Sequence, residues 1–172
     1  GCHLTEVPRR TLKENKLKAY YIMGEDPVQS DPDSEEMRRT LEKLEFVIVQ
    51  DIFMNKTCLY ADVILPATSW GEHEGVFTCA DRGFQRFRKV VEPKGDVKPD
   101  WQIISEISSA MGYPMHYDNT EEIWDELRNL CPNFKGVTYE RLDKLGGIQW
   151  PCPSEDHPGT SYLYEGNKFN TS

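Results

Sequence analysis

Phe46-Val47-Ile48-Val49-Gln50-Asp51, together with Leu17-Lys18-Ala19-Tyr20-Tyr21-Ile22-Met23 upstream of it, sets the architecture. Both runs are rich in β-branched and aromatic residues and are apolar at nearly every position. That pattern marks strands buried on both faces rather than strands with one wet side. Gly24-Glu25-Asp26-Pro27 stops the first run with turn residues, and Asp51 closes the second. Between them, residues 33–44 have helical periodicity: Met37, Leu41 and Leu44 recur at i, i+4 and i+7, and Asp33 with Glu36 forms an N-terminal capping pair. Strand, amphipathic helix and strand make a βαβ unit, whose crossover keeps the two strands parallel and is nearly always right-handed. A third short strand, Asp62-Val63-Ile64-Leu65, ends at Pro66, after one helical turn over residues 55–61.

Working outward, residues 9–16 are polar and basic. Residues 76–91 contain extended stretches, with Phe84-Gln85-Arg86-Phe87 alternating like a half-buried strand, and residues 92–99 form a loop around Pro93, Gly95 and Pro99. Asp100 caps a helix with an apolar stripe of Ile103, Ile104, Ile107 and Met111. Asn119 with Glu122 opens another, striped by Ile123, Leu127 and Leu130 and ended by Pro132. The expected fold class is α/β: an open, mainly parallel, Rossmann-like sheet with flanking helices, followed by a helical, loop-rich C-terminal part. The chain reads as a single domain or as a fragment of a longer chain, with an α/β core over 17–91, a helical part over 100–131 and an irregular tail over 151–172. It starts with Gly1-Cys2-His3 rather than Met, which suits a cut-out or processed piece.

Composition narrows the function. The 172 residues carry 20 basic and 29 acidic side chains, a net charge of −9. This balance argues against general nucleic-acid or anionic-membrane binding, which requires a basic surface. No apolar run approaches the ~18 residues that span a bilayer, so direct membrane insertion is not expected. Cys2, Cys58, Cys79, Cys131 and Cys152 are odd in number and never at CxxC spacing. Isolated thiols fit a reducing, cytoplasmic setting, where they act as small buried hydrophobes.

In an open parallel sheet, ligands bind beyond the carboxyl ends of the strands. Here those ends carry Gly24-Glu25-Asp26-Pro27, Gln50-Asp51 and the segment from Pro66 to Gly75. Neither GxGxxG nor a P-loop lies among them. Asp51, directly after a buried strand, is placed to accept hydrogen bonds from a ribose diol, or else to brace its own turn. Glu72-His73-Glu74 looks like metal chemistry, but it holds one histidine between glycines and lacks converging ligands. Arg82, Arg86, Arg88 and Lys89 form a basic cluster suited to a phosphate, an acidic partner loop or a solvated strand face. Asp100 suits an N-cap. No nucleophile–base–orienter set and no acid/base carboxylate pair stands out, so no catalytic residue and no metal ligand is assigned. The residues by themselves lead to a nucleotide-like ligand at a parallel-sheet edge.

Taken in order and at their spacing, Val47-Ile48-Val49-Gln50-Asp51-Ile52-Phe53, Thr57, Ala61-Asp62-Val63-Ile64-Leu65-Pro66, Glu74-Gly75, Arg82 and Gln85 resemble the central region of molybdopterin oxidoreductases that bind bis-molybdopterin guanine dinucleotide. Met23-Gly24-Glu25-Asp26-Pro27 is similar to that family's glycine–polar–proline loop. Ser69 to Thr78, Ala80 to Phe87, Asp100 to Ile107, Met111 to Tyr117 and Ile148 to Cys152 extend the resemblance to molybdenum-dependent formate dehydrogenases of the formate-hydrogenlyase type. Asn55, Cys58, Cys79 and Gly83 depart from the family pattern.

The resemblance implies part of an enzyme that oxidises formate to carbon dioxide at a molybdenum or tungsten bis-pterin centre. A [4Fe-4S] cluster and the metal's protein ligand would lie in domains of the same subunit outside this chain, with iron–sulfur or hydrogenase subunits as electron partners. It implies that this segment grips the guanosine end of one cofactor through Glu25, Gln50, Asp51, His73 and Asp100, with Asp51 on the ribose and Asp100 on the guanine N–H edge. Alternatives are a stand-alone carrier of the cofactor without redox activity and a metal-dependent hydrolase built on Glu72, His73 and Glu74.

Overall fold

A computed structural model describes residues 2–164; the end of the tail expected over 151–172 lies outside them. The described residues form two compact units, each with its own sheet and apolar cluster. Residues 17–91 contribute to both.

The first unit takes in the described residues of Gly1–Ser69 and Pro93–Ile104. Its elements are α1 (Val7–Leu12), β1 (Ala19–Met23), α2 (Pro27–Ser30), α3 (Ser34–Lys43), β2 (Phe46–Asp51), β3 (Val63–Pro66) and the start of α4 (Asp100–Ala110). The sheet is parallel throughout, in the order β1-β2-β3, with Ile22 opposite Val49 and Gln50 opposite Leu65. The βαβ reading holds. Asp33 caps α3 by accepting from the Glu36 N–H at 2.8 Å, and Met37, Thr40 and Leu41 face inward. The polar, basic stretch over 9–16 begins inside a short helix, α1: Pro8 pre-sets its first turn, and Val7, Pro8 and Thr11 are buried.

The helices α2 and α3 pack on one face of this sheet. Ile22, Val47 and Val49 pack with Val28, Met37, Leu41 and Cys58 into the core. On the opposite face Tyr21, Met23, Phe46 and Val63 stay exposed. The nearly continuous apolar pattern of the strands therefore supplies a core on one side and, on the other, a partly exposed apolar surface around the buried Gln50.

The second unit takes in the described residues of Trp70–Glu92 and Ser105–Ser172. Its sheet is antiparallel, in the order β4 (Gly75–Thr78), β5 (Gly83–Phe87) and β6 (Ile148–Gln149). α5 (Thr120–Leu130) and α6 (Tyr139–Leu145) accompany it. Asn119 caps α5 through the Glu122 N–H at 3.1 Å, as the capping pair predicts. The stripe predicted for α5 is not its inner face. Trp124 is the buried residue, and Leu130 is 78% exposed. An indole fills the space between Phe84, Val137 and Leu142 that a leucine row would leave open, and its Nε1–H donates to the Val137 carbonyl at 2.6 Å. Likewise Met111 ends the α4 stripe 82% exposed, while Ile103 is buried.

The basic cluster divides: Arg82 and Arg86 are held by groups of their own unit, whereas Arg88 and Lys89 are exposed and pair at the surface, Lys89 with Glu92. The Arg86 guanidinium lies 3.8 Å over the Tyr139 ring and pairs with Glu74 and Asp143. Arg88 pairs with Asp143, and Arg82 donates to the carbonyls of Trp150 and Ser161. Of the five thiols, Cys58 and Cys152 are buried as expected, whereas Cys79 is exposed and Cys2 and Cys131 are half-buried.

Gly136 closes the second unit against residues 152–154. Its N–H donates to the Cys152 carbonyl at 2.8 Å, and a Cβ there would sit 2.0 Å from the Ser154 carbonyl oxygen. Because that neighbour is backbone, Gly136→Ala is expected to lower stability by about 1–3 kcal/mol. Urea unfolding followed by tryptophan fluorescence, which reports on Trp124 and Trp150, measures the shift.

Candidate functional site

Parallel pairing sends the three strand ends of the first unit to one edge. The ladder continues past the strands: the Gly24 N–H donates to the Gln50 carbonyl at 2.9 Å, and the Ala67 N–H donates to the Asp51 carbonyl at 3.1 Å. Gly24 turns with a φ of 66°, a conformation that glycine adopts without steric cost. A fourth segment joins this edge. The Thr68 N–H donates to the Lys98 carbonyl at 3.1 Å and the Lys98 N–H to the Pro66 carbonyl at 3.3 Å, so Lys98 pairs with the chain just past β3 and delivers Asp100.

A cavity of about 320 Å³ opens here, lined by Gly24, Gln50, Asp51, Ala67 and Asp100 with Ile52 and Phe53. Three of the five sequence-predicted residues thus share one cavity. Glu25 adjoins Gly24 but points its side chain to solvent; its carbonyl accepts from the Asn55 amide at 3.3 Å. His73 belongs to the second unit, where its ring meets Phe87 edge-on at 5.3 Å.

Each lining group is held by neighbours. One Asp51 carboxylate oxygen accepts from the Phe53 N–H and the other from the Asn55 amide, both at 2.9 Å. The aspartate therefore does brace its turn, and each oxygen retains a further lone pair for a ligand. Gln50 is fully buried. Its Nε2–H donates to Asp100 Oδ1 at 2.5 Å, and its Oε1 accepts from the Tyr21 hydroxyl. Burial and the negative charge of Asp100 push the Tyr21 phenol up, which keeps it protonated and a donor.

Asp100 is the first residue of α4 rather than its cap. The Pro99 carbonyl accepts the leading N–H groups, those of Gln102 and Ile103, at 3.0 and 3.1 Å. The carboxylate is thereby free to meet Gln50, and the positive end of the helix favours its charge. The lining carries two carboxylates and no basic side chain. Such a cavity is rich in acceptors. It suits a ligand edge made of N–H and O–H donors and is unsuited to phosphate.

Three residues without a predicted role in the site hold it together. Asp26, read from the sequence only as a turn former, accepts from the backbone N–H of Lys56 and Thr57 and from the Thr57 hydroxyl at 2.6 Å. Thr57 in turn accepts from the Val28 N–H at 3.2 Å. This clamp fixes the loop after β1 against the loop after β2. Asn55 bridges Glu25 and Asp51 and accepts from the Cys58 N–H at 3.1 Å. An acidic residue before proline, matched by a threonine after the next strand, is the signal that could have found the clamp. Among the described residues no three His, Cys, Asp or Glu side chains gather as a metal site, and Glu74 engages Arg86.

Residues 5–110 match the family model described as molybdopterin oxidoreductase. The chain belongs to the molybdopterin oxidoreductase family. Over 99% of its length it is 62% identical to formate dehydrogenase H of Escherichia coli (strain K12), of which it covers 24%. It is 44% identical, over 90% of its length, to the F420-dependent formate dehydrogenase subunit alpha of Methanocaldococcus jannaschii, covering 23% of that protein. The chain therefore spans about a quarter of the length of these molybdopterin oxidoreductase relatives. Among solved structures, acetylene hydratase from Pelobacter acetylenicus superposes with a TM-score of 0.69 at 21% identity, over 95% of this chain and 24% of that one. That likeness shows the fold.

The Asp26 clamp makes a stability prediction. Asp26→Ala removes three hydrogen bonds to a carboxylate and leaves Thr57 buried without that acceptor, which costs about 1.5–3 kcal/mol. Hydrogen exchange at the Val28 and Thr57 amides should accelerate, while exchange in α5 should not.

Proposed function

We propose that this chain seats the guanosine end of a molybdopterin guanine dinucleotide within a molybdenum- or tungsten-dependent formate dehydrogenase. The observation that supports it most directly is the cavity at the carboxyl edge of the sheet, where Gln50, Asp51 and Asp100 meet and every charged lining group is an acceptor. Guanine presents two N–H donors on one edge, and ribose presents two hydroxyls. The donor set fits the group. Asp100, fixed by Gln50, would take the guanine edge as a bidentate carboxylate. Asp51, fixed by Phe53 and Asn55, would take the ribose hydroxyls with its remaining lone pairs. Glu25 stands beside Gly24 at the rim with its carboxylate in solvent, available to further hydroxyls.

Two further points support the assignment. The relatives at 62% and 44% identity are named formate dehydrogenases, and the same fold recurs in a protein named for a different reaction. A segment shared across reactions is expected to hold what the reactions have in common rather than to choose the substrate. When bound, the metal–pterin group supplies the two-electron chemistry that takes formate to carbon dioxide and a proton. This chain's residues bind, orient and desolvate the far end of that group, and none is assigned to bond breaking. The partners that follow are further domains of the same subunit, with a [4Fe-4S] cluster, and iron–sulfur or hydrogenase subunits that accept the electrons.

Two outcomes test this. Asp100→Asn keeps an oxygen for the Gln50 amide but turns an N–H₂ toward guanine donors, and the loss of a charge-assisted bond of ~1.5–3 kcal/mol should weaken GMP binding about ten- to hundredfold. Calorimetric titration of both chains decides; equal affinities would refute the assignment. The purified 172-residue chain should also show no formate-dependent reduction of a dye acceptor, and turnover would show that it carries bond-breaking groups of its own.

A further inference from the structure

We propose that Tyr21 is a positioning residue that sets guanine selectivity by fixing, through Gln50, the orientation of the Asp100 carboxylate. This rests on the guanosine-end reading and adds to it a residue that touches no part of the base.

The polarity of the chain Tyr21–Gln50–Asp100 follows from chemistry. An ionised carboxylate has acceptors only, so Gln50 must turn its Nε2–H toward Asp100. Its Oε1, also acceptor-only, then faces Tyr21, which must donate. Gln50 lies on the central strand, paired to both neighbours and fully buried, so its amide cannot turn to water instead. Tyr21 stands opposite Ile48 on β1, two residues before the Gln50 pair and therefore on the same sheet face. The residue is 40% exposed and takes no part in the core of Ile22, Val47 and Val49. Tyr21→Phe thus deletes one O–H and leaves the fold's apolar contacts in place.

Without that hydroxyl, Oε1 is a buried acceptor stripped of its donor, and the amide plane is held at one end only. Asp100 then loses the bond that holds its plane. Guanine suffers more than hypoxanthine, because its N1–H and 2-amino group need both carboxylate oxygens at once, whereas hypoxanthine offers N1–H alone. A loosened carboxylate should therefore lower discrimination between GMP and IMP. A purely structural role for Tyr21 would weaken both nucleotides alike.

The experiment titrates the 172-residue chain, wild type, Tyr21→Phe and Asp100→Asn, with GMP and with IMP, with circular dichroism confirming that each variant is folded. The wild type should prefer GMP by about tenfold or more, and Tyr21→Phe should shrink that preference to within about threefold. A Tyr21→Phe chain that keeps the wild-type GMP-to-IMP ratio, while Asp100→Asn loses it, overturns the role of Tyr21 and leaves the guanosine reading standing. A wild type without preference for GMP overturns both.

Discussion

The ladder that holds β2 between β1 and β3 runs parallel on both sides, so three chain segments leave the sheet in the same direction and within two strand spacings of one another. Backbone hydrogen bonds extend it by one residue, from Gly24 to Gln50 and from Ala67 to Asp51. An antiparallel neighbour would have sent one of those loops to the far edge. The carboxyl ends therefore gather Gly24, Asp51 and Ala67 whatever ligand follows, and the bridge between Ala67 and Lys98 adds Asp100 to them. The chemistry of the cavity comes from which polar side chains the strands end on, and its shape comes from the direction in which they end.

Support at the edge is layered. Asp26 and Thr57 fasten the outgoing loop of β1 to that of β2, and Asn55 fastens Asp51 to the backbone of Glu25. The groups that line the cavity are thus held before any ligand arrives, which lowers the ordering cost of binding. Such an arrangement is expected of an anchoring role, in which a large cofactor is seated once and held.

Much of the first unit was legible in the sequence because its signals are local. β-branched runs, the Asp33–Glu36 cap and the period of Met37 and Leu41 each act within a few residues. Asp51 and Gln50 were found because a strand's carboxyl end in a parallel sheet has a known use. What stayed hidden depends on contacts distant in sequence. Asp100 reads as a cap until Gln50, fifty residues earlier, gives it another partner. Arg86 reads as a surface charge until Tyr139 and Asp143 cover it. Leu127 and Leu130 have a helical period without a core to face, since Trp124 alone fills that space. Strand composition likewise implied two covered faces and could not say that Tyr21, Met23, Phe46 and Val63 would stay exposed. His73, expected at the site only by resemblance, has its place in the fold with Phe87 in the second unit.

The alternation of β2 separates two jobs along a single strand. Val47 and Val49 turn toward the helices and the core, whereas Gln50 turns to the other side with Tyr21. Packing changes on the core side and polar changes on the Gln50 side have few neighbours in common, so their energetic effects should combine nearly additively. A strand divided this way lets the scaffold drift in sequence without retuning the ligand chemistry, and lets the ligand chemistry change without rebuilding the scaffold.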